Sequence, residues 1–166
     1  AFPRDHYYWD QLGPERLRCL RELPQETEFW FSGRRFRLFH GRPVMPELYT
    51  VADDRELLQS FLVDAKGVPY DGLLYADAHR QAMRTLSPGI IVNTGSVGNA
   101  MGVPKCCYAL LEGEEGRTPA PLEVRLRQLD YDREQAVRDA EAADGLPIKE
   151  AYIREIQTGI YSRSHG

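Results

Sequence analysis

The sequence predicts an α+β fold, with strands clustered in the middle of the chain and helices at both ends. Three observations carry this. Leu17, Leu20 and Leu23 recur at threefold spacing near the start, and Ile148, Tyr152 and Ile156 at fourfold spacing near the end, both helical periods. Between them lie short aromatic, β-branched or wholly apolar runs of strand length: TEFWF, RFRLF, GLLYA, IIVN and CCYALLEG. Glycine and proline punctuate these runs, and no linker is long enough to divide the chain, so residues 1–166 read as a single domain.

Taken in order, Gly13-Pro14 precedes ERLRCLREL and Pro24 follows it. Proline at the first helical position and again past the end brackets a helix whose leucine face should be buried. TEFWF and RFRLF flank Ser32-Gly33-Arg34 as a hairpin with glycine in the turn, and the second strand runs directly into His40-Gly41-Arg42-Pro43. DDRELLQSFLVDA opens on aspartate and places Leu57, Leu58, Phe61 and Leu62 at helical spacing, with Lys66-Gly67 as its stop. GLLYA stops at Asp77-Ala78-His79-Arg80. QAMRTL and IIVN pair as a second hairpin about Ser87-Pro88-Gly89, followed by the loop Thr94-Gly95-Ser96-Val97-Gly98. CCYALLEG is a further strand. EVRLRQL sets Val124, Leu126 and Leu129 imperfectly against Arg125 and Arg127, which suits a strand with one solvated face. Asp132 with Gln135 three residues on is a capping-box-like start; Ala136, Ala140 and Ala143 share a face, and Gly145 ends that helix. Pro147 begins the last helix and Gly159 stops it.

Composition narrows the function. With 42% hydrophobic and 28% charged residues the chain can build a core, and a net charge of -4 gives no electrostatic footprint for nucleic acid. Cys19, Cys106 and Cys107 form no C-x-x-C pair, which excludes zinc-ribbon and thioredoxin motifs and suits reduced thiols in a cytoplasmic protein. No stretch approaches the roughly 20 apolar residues of a membrane helix. The opening AFPRDHYYWDQLG lacks a basic region followed by an apolar run, so no signal peptide is read; it also lacks Met, as a processed product or one part of a longer polypeptide would. The aromatic run Tyr7-Tyr8-Trp9 either tucks into the core, the commoner arrangement, or serves as an interface, which leaves a homo-oligomer open.

Chemistry centres on two of the four histidines. His6 and His165 lie near the termini without local partners. His40 and His79 each follow a strand end, where side chains project from a rigid edge into a crevice. If the backbone stays extended, Asp77 and His79 share one side, and imidazole with carboxylate suits Mn, Fe or Zn. Alone, each motif is more often structural: an Asp-x-His pair is usually a surface turn, a strand-end histidine usually bonds a carbonyl, and Asn-Thr-Gly-Ser-Val-Gly is usually a connector.

Their order changes that balance. A strand ending in His40-Gly41, a helix, a strand ending in Asp77-Ala78-His79-Arg80, a hairpin, then IIVNTGSVG and CYALL resembles the calcineurin-like metallophosphoesterases. The small bacterial phosphodiesterase branch carries His-Gly, Gly-His-Thr-His-Arg-Pro, Asn-Pro-Gly-Ser-Val-Gly and a Tyr-Ala-Leu-like strand in that order. The resemblance spans about residues 14 to 112 and is most specific at Asn93 to Gly98. It implies the C-terminal portion of a layered α/β/β/α sandwich holding two divalent ions, Mn first and Fe, Zn or Ni as alternatives. It implies hydrolysis of a P–O bond in a small phosphorylated substrate by a metal-activated water. By motif, His40 and Asp77 would hold one ion and His79 the other. Arg80 would reach a phosphate oxygen; Asn93 would stand on the substrate side, with the loop to Gly98 shaping the rim and holding the sheet. No catalytic residue beyond these ligands falls in the chain.

Two departures qualify the resemblance. Ala76 replaces a glycine and Asp77 a histidine. The family's Asp-x-His, Gly-Asp and Gly-Asn-His-Asp segments, which precede the matching part, are not in this sequence, and the expectation is that they lie outside this chain. A second reading is therefore a noncatalytic binding or scaffold member of the same fold. A third, an unrelated nucleotide-binding domain with Asn93 to Gly98 as phosphate cradle, is weakened because no P-loop lysine or Rossmann glycine pattern accompanies the loop.

Overall fold

A computed structural model of the chain describes residues 4–41 and 55–163. Helix α1 (Arg4–Glu22) is followed by the hairpin β1 (Glu26–Phe31) and β2 (Arg34–Phe39), a short α2 (Arg55–Ser60), β3 (Gly72–Tyr75), β4 (Ala82–Thr85), β5 (Ile90–Asn93), β6 (Cys106–Glu112), β7 (Glu123–Leu129), α3 (Arg133–Ala142) and α4 (Lys149–Thr158). This is the α+β order expected, with strands central and helices at both ends.

Five strands form one sheet in the order β1-β2-β3-β5-β4; β2, β3 and β5 run parallel, and the edge strands β1 and β4 are antiparallel. β6 and β7 form a separate antiparallel pair. The central strands are apolar without alternation because both their faces are covered. One face presents Phe36, Leu74 and Val92 to Ala109 and Leu111 of β6 and to Val124 and Leu126 of β7, and this is the seam between the sheets. The other presents Phe39, Leu73, Tyr75 and Ile91 to Phe61, Leu62 and Tyr70 in and beside the segment after α2. A side chain at Gly72 would collide with the Phe36 ring, so the glycine lets that ring lie against β3. Among the described residues no helix is long and apolar enough to cross a membrane.

Several expectations are corrected. α1 starts at Arg4, and Gly13 (φ 72°, ψ 169°) breaks it into two helical stretches, with Pro14 opening the second as expected. Its leucine face is not buried: Leu20 is 51% and Leu23 59% exposed, because the described residues lay no layer over it. Tyr8 and Trp9 are likewise exposed rather than tucked into the core. α2 ends at Ser60, before Phe61 and Leu62. Asp64 reverses the chain there, its carboxylate accepting the Lys66 and Val68 N–H groups at 2.8 and 2.9 Å, which competes with helix continuation. The aspartates expected to open this helix, and the side chains of Leu57 and Leu58, lie outside the described residues. α3 stops at Ala142, short of Gly145. α4 starts after Ile148, which takes a left-handed conformation.

Candidate metal centre at the strand ends

Three parallel neighbours, β2, β3 and β5, end side by side, and each of their C-terminal ends releases one of the sequence motifs. Open sheets place ligand sites at such carboxyl ends. His40 follows β2, Asp77 to Arg80 follow β3, and Thr94 to Gly98 follow β5. Backbone bonds fasten them together: Ala76 N–H donates to the His40 carbonyl and Thr94 N–H to the Tyr75 carbonyl, each at 2.9 Å.

His40 and Asp77 come together. His40 Nε2 stands 3.6 Å from Asp77 Oδ1, with the imidazole 75% and the carboxylate 39% exposed. Gly41 makes this possible. A Cβ there would meet the Asp77 side chain, 2.6 Å from Cγ and 2.8 Å from Oδ2, so only glycine leaves the carboxylate its place. Divalent ions bind imidazole and carboxylate at about 2.0–2.2 Å, and two donors at this separation fit around one ion.

The backbone does not stay extended through His79, the condition under which Asp77 and His79 would share one side. His79 takes φ +55°, and its N–H turns back to the Ala76 carbonyl at 3.2 Å. Its ring stands against Asn99, with Nδ1 2.9 Å from the Asn99 carbonyl. A carbonyl only accepts, so Nδ1 carries the hydrogen and, in the neutral ring, the lone pair is left on Nε2, the arrangement that a hydrogen-bond acceptor on the other ring nitrogen gives metal-binding histidines. Met101 N–H donates to the His79 carbonyl at 2.9 Å, so the residue is held from both ring and backbone. Beside it opens a cleft of about 450 Å³ lined by Tyr8, Ser96, Asn99, Tyr152 and Arg163 among others. Arg80 is exposed on the same turn.

Asn93 lies at the end of β5. It is 1% exposed, its Nδ2 donates to the Ala76 carbonyl and its Oδ1 accepts Gly95 N–H, both at 2.9 Å. The amide is a clamp between the ends of β3 and β5, the sheet-holding part of its expected role. Gly95 (φ +79°) continues this: a Cβ there would lie 2.6 Å from Cys107 Cβ, so the loop can sit on β6, where Ser96 O accepts Cys107 N–H at 2.9 Å. Gln81 also ties the sheets, donating to the Tyr108 and Arg127 carbonyls at 2.9 and 3.1 Å.

The sequence reading missed Gly41's steric role, Gln81, Asn99 and Glu155. Glu155 is 0% exposed and accepts from Asn99 Nδ2 at 2.8 Å, Ser162 N–H at 3.0 Å and Arg163 Nη2 at 3.0 Å. Its one signal was its place next to Ile156 in an apolar stripe, where a charge is unexpected. Burial would raise its pKa, but those hydrogen bonds outweigh burial and hold the carboxyl below its ordinary value. Among the described residues no three histidine, cysteine or carboxylate side chains converge tightly enough to complete a metal shell. His40 with Asp77, and His79 with a lone pair left on Nε2, are donor types suited to divalent ions.

No family model matches the sequence, and no curated protein matches it. Solved structures do. The chain is similar to the hypothetical protein PH1004 from Pyrococcus horikoshii OT3, at 21% identity and a TM-score of 0.62, over 90% of this chain and 56% of that one. It is also similar to a metallophosphoesterase from Sphaerobacter thermophilus, at 18% identity and a TM-score of 0.61, over 93% of this chain and 65% of that one. The chain thus shares the fold of these two structures, one of them a metallophosphoesterase, and spans less than two thirds of the length of either.

Proposed function

We propose that this chain carries part of the dinuclear site of a metal-dependent phosphoesterase that hydrolyses small phosphodiesters. The observation that carries this reading is the approach of His40 Nε2 to Asp77 Oδ1, 3.6 Å, at the adjacent ends of parallel strands, with His79 on the next turn. When bound, two divalent ions supply Lewis acidity toward a phosphoryl group and an activated water. The chain's own residues hold and orient. His40 and Asp77 would hold one ion, His79 Nε2 would hold the second, and the Arg80 guanidinium would neutralise a phosphate oxygen. The cleft beside His79 receives the ester's organic group. Manganese is the first candidate, since mixed imidazole and carboxylate donors suit it.

Three donors are too few for tight binding of two ions, because such sites need several preorganised ligands. The 166-residue chain by itself should therefore bind Mn weakly and turn over little bis-p-nitrophenyl phosphate. Titrating Mn against the chain and its H40A and D77A variants tests the reading. Weak binding abolished by either substitution supports it, whereas binding indifferent to both would overturn the assignment. Robust turnover by the chain alone would overturn the incomplete shell.

A further inference from the structure

We infer that Glu155, on α4, is a positioning residue for His79 and acts through Asn99. The inference rests on the reading of His79 as a metal ligand and assigns it a support that no motif in the sequence announced.

The segment from Asn99 to Gly102 is a cradle for His79. Asn99 supplies the carbonyl that takes the ring's Nδ1–H, and Met101 supplies the N–H that caps the His79 carbonyl. This cradle has no regular secondary structure of its own, so something else must fix it. Two ties do so, both to α4 and its end. Asn99 Nδ2 donates to Glu155 Oε2 at 2.8 Å, and Gly102 N–H donates to the Gly159 carbonyl at 2.8 Å. Asn99 N–H also donates to Ser96 Oγ at 3.1 Å, which joins the cradle to the loop after β5.

The chemistry of the Asn99 amide makes the tie directional. A carboxylate only accepts, so the amide nitrogen must face Glu155, and Oδ1 is then left buried without a partner. Buried orphan acceptors are costly and uncommon. Keeping one in order to hold Nδ2 on Glu155 indicates that the orientation of Asn99 matters. Glu155 is itself fully buried, a costly placement for a carboxylate unless it is paired, and Ser162 N–H and Arg163 also donate to it. The carboxylate is thereby fixed, Asn99 is fixed on it, and the Asn99 carbonyl is fixed on Nδ1. The result is one tautomer of His79, with the lone pair on Nε2, in a residue that lines the cleft.

Long-range ¹H–¹⁵N spectra of the imidazoles in the metal-free 166-residue chain test this. The wild type should show His79 as a single Nδ1–H tautomer. E155A and N99A should each replace it with a mixture of both tautomers, and the double variant should go no further than either alone. E155Q, which still accepts from Asn99, should restore the single tautomer. Backbone amide dispersion identifies any variant that fails to fold; if E155A does, N99A carries the test, since it leaves the backbone carbonyl in place. A single Nδ1–H tautomer persisting in folded N99A overturns the inference, whatever the metal does. Added Mn separates the two readings: absence of broadening at His79 in the wild type overturns its role as a ligand, whatever the tautomer does. Where broadening occurs, N99A should need about tenfold more Mn to reach it.

Discussion

At Gly41 a single hydrogen in place of a methyl decides whether Asp77 can face His40. The position has no left-handed backbone to explain its glycine, so the constraint is steric alone. G41A should therefore leave the fold intact, lower stability by about 1–3 kcal/mol as overpacking does, and abolish Mn binding. Urea denaturation and a Mn titration on the same sample check both parts, and unchanged Mn binding would show that Asp77 is not held by this contact. Asn93 makes the complementary case. Asn93→Asp keeps the acceptor for Gly95 N–H but cannot donate to the Ala76 carbonyl, and it sets two acceptors against each other in a buried place. A loss of about 2–4 kcal/mol is expected, and denaturation midpoints equal to wild type would remove the clamp from the account. The candidate site was legible in part. His40, Asp77 and His79 could be picked from their order along the chain. The left-handed turn at His79 could not, because a histidine at positive φ carries no local sequence signal. The clamp made by Asn93 could not be read either, since a motif gives the residue but not its hydrogen bonds. Glu155, far along the chain from His79, had only its misfit in an apolar stripe to mark it.

The elements that were legible are those whose turns are decided locally. Ser32 and Gly33 both take positive φ, 50° and 75°, the two-residue turn that matches the twist of paired strands. Ser32 can hold that conformation because its hydroxyl donates to the Pro121 carbonyl at 2.9 Å and accepts Glu114 N–H at 3.0 Å. At Gly33 a Cβ would lie 2.7 Å from Pro119 Cα, so G33A adds a clash to the strain of a left-handed alanine. It should cost more than about 1 kcal/mol, measurable as a lowered denaturation midpoint; a neutral result would mean that the 118–119 loop moves aside freely. Elements decided by distant groups were read less well. The helix expected to run to Lys66 stops at Ser60 because Asp64 bonds its own loop and pairs with Arg35 from β2 at 3.0 Å. The exposed leucines of α1 show the same limit: a period gives the face, and only the neighbouring layer says whether anything covers it.

Across the whole molecule, buried or bonded carboxylates link parts that the core alone does not join. Glu155 ties α4 to the cradle of His79. Glu28 on β1 accepts from the Tyr70 hydroxyl and from Arg35, whose guanidinium also stacks over the Tyr70 ring at 4.3 Å and reaches Asp64. Burial and Glu28 together push Tyr70 up to about 12, so the phenol stays a donor throughout the physiological range. The Tyr70 and Arg35 hydrogen bonds hold Glu28 below the ordinary glutamate value of 4.5; the Val68 N–H bond, against some burial, does the same for Asp64. Glu155 is lowered as well, with burial outweighed by its three donors. A lowered folded pKa means that the unfolded chain takes up protons first as pH falls. The stability these groups contribute is therefore complete above about 4.5 and is lost as pH drops through their folded values. Urea unfolding at pH 7, 5.5, 4.5 and 3.5 should give a level plateau across the first two and a steep decline across the last two. A stability that stays level to pH 3.5 would mean the carboxylates are no better held in the fold than in water, and the long-range ties drawn through them would fall with it.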